Sequence, residues 1–210
     1  LDSLAQTLRE GCETLQVATG PQQQQQLLAY LQLLERWNGV YNLTAVRDPR
    51  EMVIRHLLDS LSVLPHLPAG ALLDIGAGAG LPGIPLAIAD PRRPITLLDS
   101  NGKKTRFMFQ AASELGLTHC RIIRARVEHW QAPMLAATVI SRAFASLPDM
   151  IDTCGHLLAP KGILLAMKGQ YPAEELAAVA DRADIIDVQT LTVPGLAEDR
   201  CLVSLRPHAQ

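Results

Sequence analysis

No apolar run in this sequence reaches the roughly 18 residues that a membrane-spanning helix requires, so no candidate span is present. The first residues, LDSLAQTLREGCETL, lack the basic stretch and apolar block of a signal peptide, and Leu1 in place of Met suggests a trimmed start. Cysteine is sparse. Cys12, Cys120, Cys154 and Cys201 form no C-x-x-C pair, which signals neither zinc nor a disulfide framework and leaves reduced thiols of a cytoplasmic protein as the expectation. Aromatics make up only 4% of the chain, leaving few platforms for base stacking; Trp37, Tyr41 and Trp130 read as packing residues. Charge of one sign is also missing. A formal net charge of -2 gives no global attraction to a polyanion, so a nucleic-acid partner would have to be met by a local basic patch.

What is present describes an ordinary folded protein: 210 residues, 48% hydrophobic and 19% charged, enough for one main domain with an appendage. Residues 1–66 read as a helical cap. Leu1, Leu4, Ala5, Leu8, Cys12 and Leu15 recur near a period of 3.6, and a second run from Pro21 carries Leu27, Leu28, Leu31, Leu34 and Trp37. The Gln22 to Gln26 run reads as a polar first turn rather than a functional tract. After the expected loop WNGVYNLTAVR, Asp48-Pro49 is an N-cap with proline at the first helical position. The helix it starts, to about Leu64, is expected to bury Ile54, Leu57, Leu58 and Leu61, with Met52, His56, Asp59 and Ser60 on the opposite face.

Residues 67–210 change rhythm. ALLDI, PITLLD, HCRIIRA, TVIS and GILLAMK are candidate strands separated by helical stretches near 82–90, 101–116, 147–158 and 172–182. That alternation predicts an α/β, doubly wound, mostly parallel sheet. IIDVQTLTV and RCLVSLRP follow with only the turn-like PGLAED between them, which predicts an antiparallel C-terminal hairpin at the sheet edge and seven strands in all.

The stretch DIGAGAGLPG, Asp74 to Gly83, follows the first of these strands and supports two readings. Gly76, Gly78 and Gly80 suit a methyl-donor loop, whereas Gly78, Gly80 and Gly83 suit a dinucleotide. Either way, glycines let the backbone approach a ligand closely and aim the next helix at it. Asp99 ends the second strand, 23 residues after Gly76, near the spacing at which a carboxylate reaches a ribose diol. That supports an adenosine ligand without choosing between S-adenosylmethionine and NAD. Asp74 favours the former, because an anion beside the loop would repel a pyrophosphate but could accept from the ammonium of a methionine moiety. Gly83 then becomes a close-packing residue of the following helix.

In a doubly wound sheet, ligands bind outside the carboxyl ends of the strands. Lys103, Lys104, Arg106, Arg124, Arg126, Arg142 and Lys168 all follow or end predicted strands, so 7 of the 19 basic side chains gather at one edge. The grouping points to a phosphate-bearing substrate, with these residues as RNA-binding candidates. His56, beside Asp59 on the polar face, is a candidate for lining the cleft under the cap.

With DIGAGAGLPGIPLAI, LLDSNGKKTRF, ARVEHW, ISRAFASL and MKGQ in order, and NLTAVRDPREMVIRHLLDSL upstream, the chain closely resembles the bacterial 16S rRNA guanine-N7 methyltransferase G family from about residue 21 to the C-terminal hairpin. The resemblance implies a class I, Rossmann-like fold and methylation of guanine N7 at position 527 of 16S rRNA, in the 530 loop. It also implies 16S rRNA or the 30S subunit as partner, S-adenosylmethionine as cofactor, no metal, and a cytoplasmic location; the expected state is a monomer. Carried over by motif, Gly76 and Leu81 contact the cofactor, Val127 and Glu128 lie along its adenosine half, and Asp99 takes the ribose; Gly78 and Asp74 join them as cofactor candidates from the loop itself. Arg142 stands at the cleft between cofactor and substrate. Two departures stand out: Ala136 and Ala137 replace a common Phe-Asp, and the loop reads GAGAG where relatives often have GSGAG or GTGPG.

Guanine N7 carries a lone pair and no proton, so this chemistry needs no general base, and no catalytic base is assigned. Arg142, Lys168 and His56 are the positioning candidates. A methyltransferase acting on another nucleic acid or a protein, a non-catalytic adenosine-ligand-binding ribosome assembly factor, and an NAD-dependent oxidoreductase remain the alternatives.

Overall fold

Seven strands form one sheet: β1 (Leu72–Ile75), β2 (Ile95–Asp99), β3 (Cys120–Arg124), β4 (Ala136–Ser141), β5 (Leu158–Lys168), β6 (Ala183–Thr190) and β7 (Cys201–Pro207). The computed structural model describes residues 2–142, 144 and 146–208. Strand order is β3-β2-β1-β4-β5-β7-β6, parallel from β3 through β5, with β7 antiparallel to both β5 and β6. The expected hairpin is therefore present, with β7 inserted between β5 and the edge strand β6. The central strand β1 is buried at every residue because helices cover both faces, whereas β6 has mostly exposed side chains and carries Asp184 and Asp187, as an unprotected edge requires.

On one face lie α1 (Asp2–Thr14), α2 (Pro21–Tyr41), α3 (49–61), α4 (Gly83–Ala89) and α5 (Gly102–Glu114); on the other lie α6 (Leu147–Cys154) and α7 (Ala173–Val179). Leu8, Leu27, Tyr30 and Leu57 belong to the same buried cluster as Leu72, Ile84, Leu97 and Phe107, so α1 to α3 and one face of the sheet bury a common core. Glutamines stitch the two together. Gln23 donates to the carbonyls of Ile88 and Ala89 (3.0 and 2.8 Å) at the end of α4, and Gln26 donates to Leu115 O (2.8 Å) just past α5. The glutamine run thus satisfies carbonyls that helix ends leave open.

Several elements depart from expectation. The loop expected from Trp37 is helical through Tyr41, and the chain turns at Asn42 with φ +49°. α3 starts as foreseen, with the Asp48 side chain accepting from Glu51 N (2.9 Å). It then passes through a π-helical segment, Val53–Leu58, between α-helical Pro49–Met52 and Asp59–Leu61. Its expected polar face is not a solvent face: Met52, His56, Asp59 and Ser60 are all buried.

Candidate functional site

The loop after β1 turns on residues that only glycine accommodates freely, with φ of +66°, +61° and +85° at Gly76, Gly78 and Gly80. Two carboxylates hold it. Asp99 Oδ2 accepts from Gly78 N (2.9 Å) while its Oδ1 accepts from Asn101 N (2.8 Å), tying the end of β2 to the loop and to the start of α5. Asp74 lies at the end of β1, fully buried, and its Oδ2 accepts from Gly83 N (2.8 Å) at the start of α4. Burial raises its carboxyl to about 7, against the lowering pull of the Gly83 N–H and the Arg142 guanidinium. Through Oδ2 Asp74 acts as the peg that fixes loop to helix, while its Oδ1, equally buried, has no hydrogen-bond partner. Gly83 is the close-packing residue foreseen, since a Cβ there would sit 2.7 Å from Leu97 Cδ2 and 2.8 Å from Asp74 Oδ2.

A third tie comes from the helices. Tyr30 of α2 is fully buried and donates its hydroxyl to Ala79 O (2.6 Å), so the loop is clamped from outside the sheet. Sequence reasoning passed over this residue; the available signal was a phenol among the leucines of an apolar helix face, which when buried needs a partner. Tyr30→Phe leaves that carbonyl unsatisfied and should lower unfolding free energy by about 1–2 kcal/mol, with a several-fold loss of affinity at the adjoining cavity, read by denaturant titration and calorimetry.

That cavity, about 330 Å³, opens above the carboxyl ends of β1 to β4. Gly76, Asp99, Val127 and Glu128 line it together with apolar Ile75, Leu98 and Ala125, and Lys104 and Arg126 also border it. Four of the carried-over cofactor residues are thereby brought together. Gly78 and Leu81 are not among the lining residues: Gly78 faces Asp99 through its N–H, and Leu81 is buried in the core next to the loop.

Arg142 is elsewhere. Ser141 ends β4, donates to Ile75 O (2.8 Å) and lines the first cavity, whereas Arg142, one residue on, lines a second cavity of about 370 Å³ with Arg55, His56, Asp59, Lys168 and Arg200. The first cavity spans the point between β1 and β4 where strand order reverses, the position at which open α/β sheets bind ligands, and the second begins one residue further along the chain, at the ends of β4 and β5. Arg142 donates to Asp59 Oδ2 (3.2 Å) and to Arg55 O (3.3 Å). Lys168 is not a freely presented cation, because its ammonium donates to both Glu175 oxygens (3.1 and 2.8 Å). His56 Nε2 is 2.9 Å from Thr44 Oγ1, and burial together with Arg142 pushes its imidazole down to about 4, so it is neutral at pH 7. Arg55 and Arg200 were not anticipated, since one lies inside a helix and the other follows the acidic turn AED. Only the tertiary fold brings Arg200 to Asp59 and pairs Arg55 with Glu198.

The remaining basic candidates spread outward rather than converging. Lys103 sits 5.9 Å from the Tyr41 ring centroid, Arg124 lies against Gly102, and Arg106 is exposed on α5. Trp37 packs on Tyr41 and Phe107 with ring centroids 5.3 and 5.7 Å apart, as expected of a packing residue. Among the described residues no group of three or more His, Cys, Asp or Glu could hold a metal ion, and no helix is long and apolar enough to cross a membrane.

Comparison with known proteins agrees with this arrangement. A solved glycopeptide N-methyltransferase in complex with S-adenosylmethionine superposes with a TM-score of 0.62 at 12% identity, covering 73% of this chain and 88% of that one. A methyltransferase from Geobacter sulfurreducens in complex with S-adenosylhomocysteine gives 0.56 at 14%, covering 84% and 98%. The fold is that of class I S-adenosylmethionine-dependent methyltransferases. In sequence, the ribosomal RNA small subunit methyltransferase G of Marinobacter nauticus is 52% identical over 196 residues, 93% of this chain and 92% of that protein. Its namesake from Nitrosococcus oceani is 48% identical over 209 residues, 99% and 98% of the two chains. The model of the family described as rRNA small subunit methyltransferase G matches residues 23–203, and the chain belongs to that family.

Proposed function

We propose that this chain transfers a methyl group from S-adenosylmethionine to N7 of the guanosine at position 527 of 16S rRNA, in the 530 loop, in the cytoplasm. The observation that carries the reading is the adjacency of the two cavities through Ser141 and Arg142, which provides neighbouring places for a donor and an acceptor. The first cavity fits the donor: positive-φ Gly76 lets backbone approach it, Ile75, Leu98 and Val127 offer apolar contact to an adenine, and Asp99 and Glu128 are acceptors for ribose hydroxyls.

S-adenosylmethionine supplies an activated methyl group on a sulfonium. Guanine N7 attacks with its own lone pair and releases no proton, so the side chains have no proton to remove. Their work is to hold two reactants in line, close and dry. Gly76, Asp99, Val127 and Glu128 fix the donor side; Arg142, with Lys168 behind it, orients guanine O6 or a backbone phosphate on the acceptor side. His56, neutral because its imidazole titrates near 4, shapes the acceptor cavity without contributing charge.

With no base to titrate, kcat at saturating substrates should stay flat between about pH 6 and 9; a steep loss through a single pKa in that window would contradict the scheme. The direct test maps modified bases in 16S rRNA from cells lacking this protein. The reading predicts that 7-methylguanosine is missing at position 527 and returns on re-expression. Persistence of the mark without the protein would overturn it.

A further inference from the structure

We propose that Asp59 is a positioning residue that holds Arg142 and Arg200 as a two-guanidinium fork for one backbone phosphate of the RNA strand carrying the acceptor base. The proposal rests on the reading of the chain as an rRNA methyltransferase and adds to it the residues that grip the strand. Asp59, in the last turn of α3, is 1% exposed, and each of its oxygens is taken by a different arginine: Oδ1 by Arg200 Nε at 2.9 Å, Oδ2 by Arg142 NH1 at 3.2 Å. The arginine side chains remain 21% and 31% exposed, so the guanidiniums present far more of their surface to the cavity than the nearly buried carboxylate at its base. They come from distant places, the end of β4 and the residue before β7, and a buried carboxylate is what brings them together. A planar guanidinium with five donors keeps N–H groups to spare after one such bond, and a pair of them matches the oxygens of a phosphate.

Charge balance selects this pair within the cavity. Two guanidiniums share the single Asp59 carboxylate, whereas Lys168 is matched by Glu175 and Arg55 by both Glu51 and Glu198 (2.6 and 2.7 Å); Glu198 also feels the charge of Arg200, so the least compensated cation is Arg142, with Arg200 beside it. His56, the other titratable group facing the cavity, is neutral. An anion entering there finds its excess of attraction at Arg142 and Arg200. The donor cavity has a different lining, so the fork faces the acceptor strand.

Three variants test this, with a 16S rRNA fragment spanning the 530 loop and S-adenosylhomocysteine as probes. Asp59→Asn separates geometry from charge. If bulk charge alone held RNA, removing a carboxylate would tighten binding; the fork requires that it weaken, with KM for RNA rising several-fold more than kcat falls. Arg200→Ala should weaken RNA binding about tenfold at 0.1 M salt and flatten the slope of log affinity against log salt by about 0.7–0.9, the signature of one lost phosphate contact. Arg200→Lys should restore the slope but only part of the affinity. S-adenosylhomocysteine affinity should stay within about twofold in all three, which also reports that they are folded. Tighter or unchanged RNA binding by Asp59→Asn, or an unchanged slope in Arg200→Ala, overturns the proposal, as does a parallel loss of S-adenosylhomocysteine binding. Failure of the unsubstituted protein to bind or methylate the RNA would instead count against the rRNA methyltransferase reading itself.

Discussion

A Gly83→Val protein should bind no S-adenosylhomocysteine at concentrations that saturate the unsubstituted one, and its unfolding free energy should fall by about 3 kcal/mol. Gly83 opens α4 at the point where helix, sheet and peg meet. Even a Cβ would press on Leu97 Cδ2 at 2.7 Å and Asp74 Oδ2 at 2.8 Å, and neither can yield. Leu97 is fully buried in β2, and Asp74 is pinned by the Gly83 N–H itself. Relief requires α4 to lift from the sheet, which breaks that hydrogen bond, strands a buried carboxylate and pulls the glycine loop out of register. Gly39→Ala is the matched control. It lies in α2 with nothing within 4 Å of the place a Cβ would take, so the substitution should stabilise by about 0.5–1 kcal/mol through helix propensity and leave binding unchanged. Denaturant titration and calorimetry on both variants check the pair; binding retained by Gly83→Val would show that the loop does not depend on this contact.

The second large effect is a pair of opposed titrations. Asp74 has a folded pKa near 7, above the ordinary 3.8, so the folded state holds its proton where the unfolded chain has released it. Its contribution to stability is fully present below about pH 4 and is lost as pH rises through 7. His56 has a folded pKa near 4, below the ordinary 6.5, so the unfolded chain binds a proton that the folded state refuses. Its contribution is present above about pH 6.5 and is lost as pH falls through 4. Between pH 4 and 6.5 the slopes have opposite signs, each at most about 1.4 kcal/mol per pH unit, and they largely cancel. Asp74→Asn, which keeps an acceptor for Gly83 N, should therefore grow more stable with rising pH across this window. His56→Gln should grow less stable across it. Unfolding free energies at pH 4.5, 5.5 and 6.5 read both slopes, and equal slopes in the two variants would remove the cancellation.

Much of this architecture is legible in the sequence because apolar runs, turn residues and strand spacing agree with one another. Each expected strand exists, Asp48 caps α3, and Gly83 packs where the overlapping glycine patterns left it. The errors have physical causes. The strand expected to start at Gly162 starts at Leu158 instead and runs through Pro160; it absorbs the irregularity with Lys161 at φ +64° and a register shift against β4 between Ala136 and Thr138. α3 contains a π-helical segment that no 3.6-residue period reveals, and its polar residues are buried because two other parts of the chain close over them.

The site divides along the same line. Gly76, Asp99, Val127 and Glu128 meet in one cavity because each ends or follows a parallel strand, and the carboxyl edge is a common destination that strand order alone predicts. Asp74 was read from its neighbours in sequence, and that local view could not show that its carboxylate turns inward to Gly83. Asp59 gathers Arg142 and Arg200 through contacts 83 and 141 residues apart, and Tyr30 reaches the loop across 49. Such long-range pairings leave no trace in spacing or periodicity.

The most direct measurement of the central claim is methyl transfer itself. The protein is incubated with methyl-labelled S-adenosylmethionine and either naked 16S rRNA or 30S subunits, and the labelled base is then identified. The account predicts label on at least one of these substrates, confined to N7 of the guanosine at position 527. Label on neither, or on another base, would contradict it.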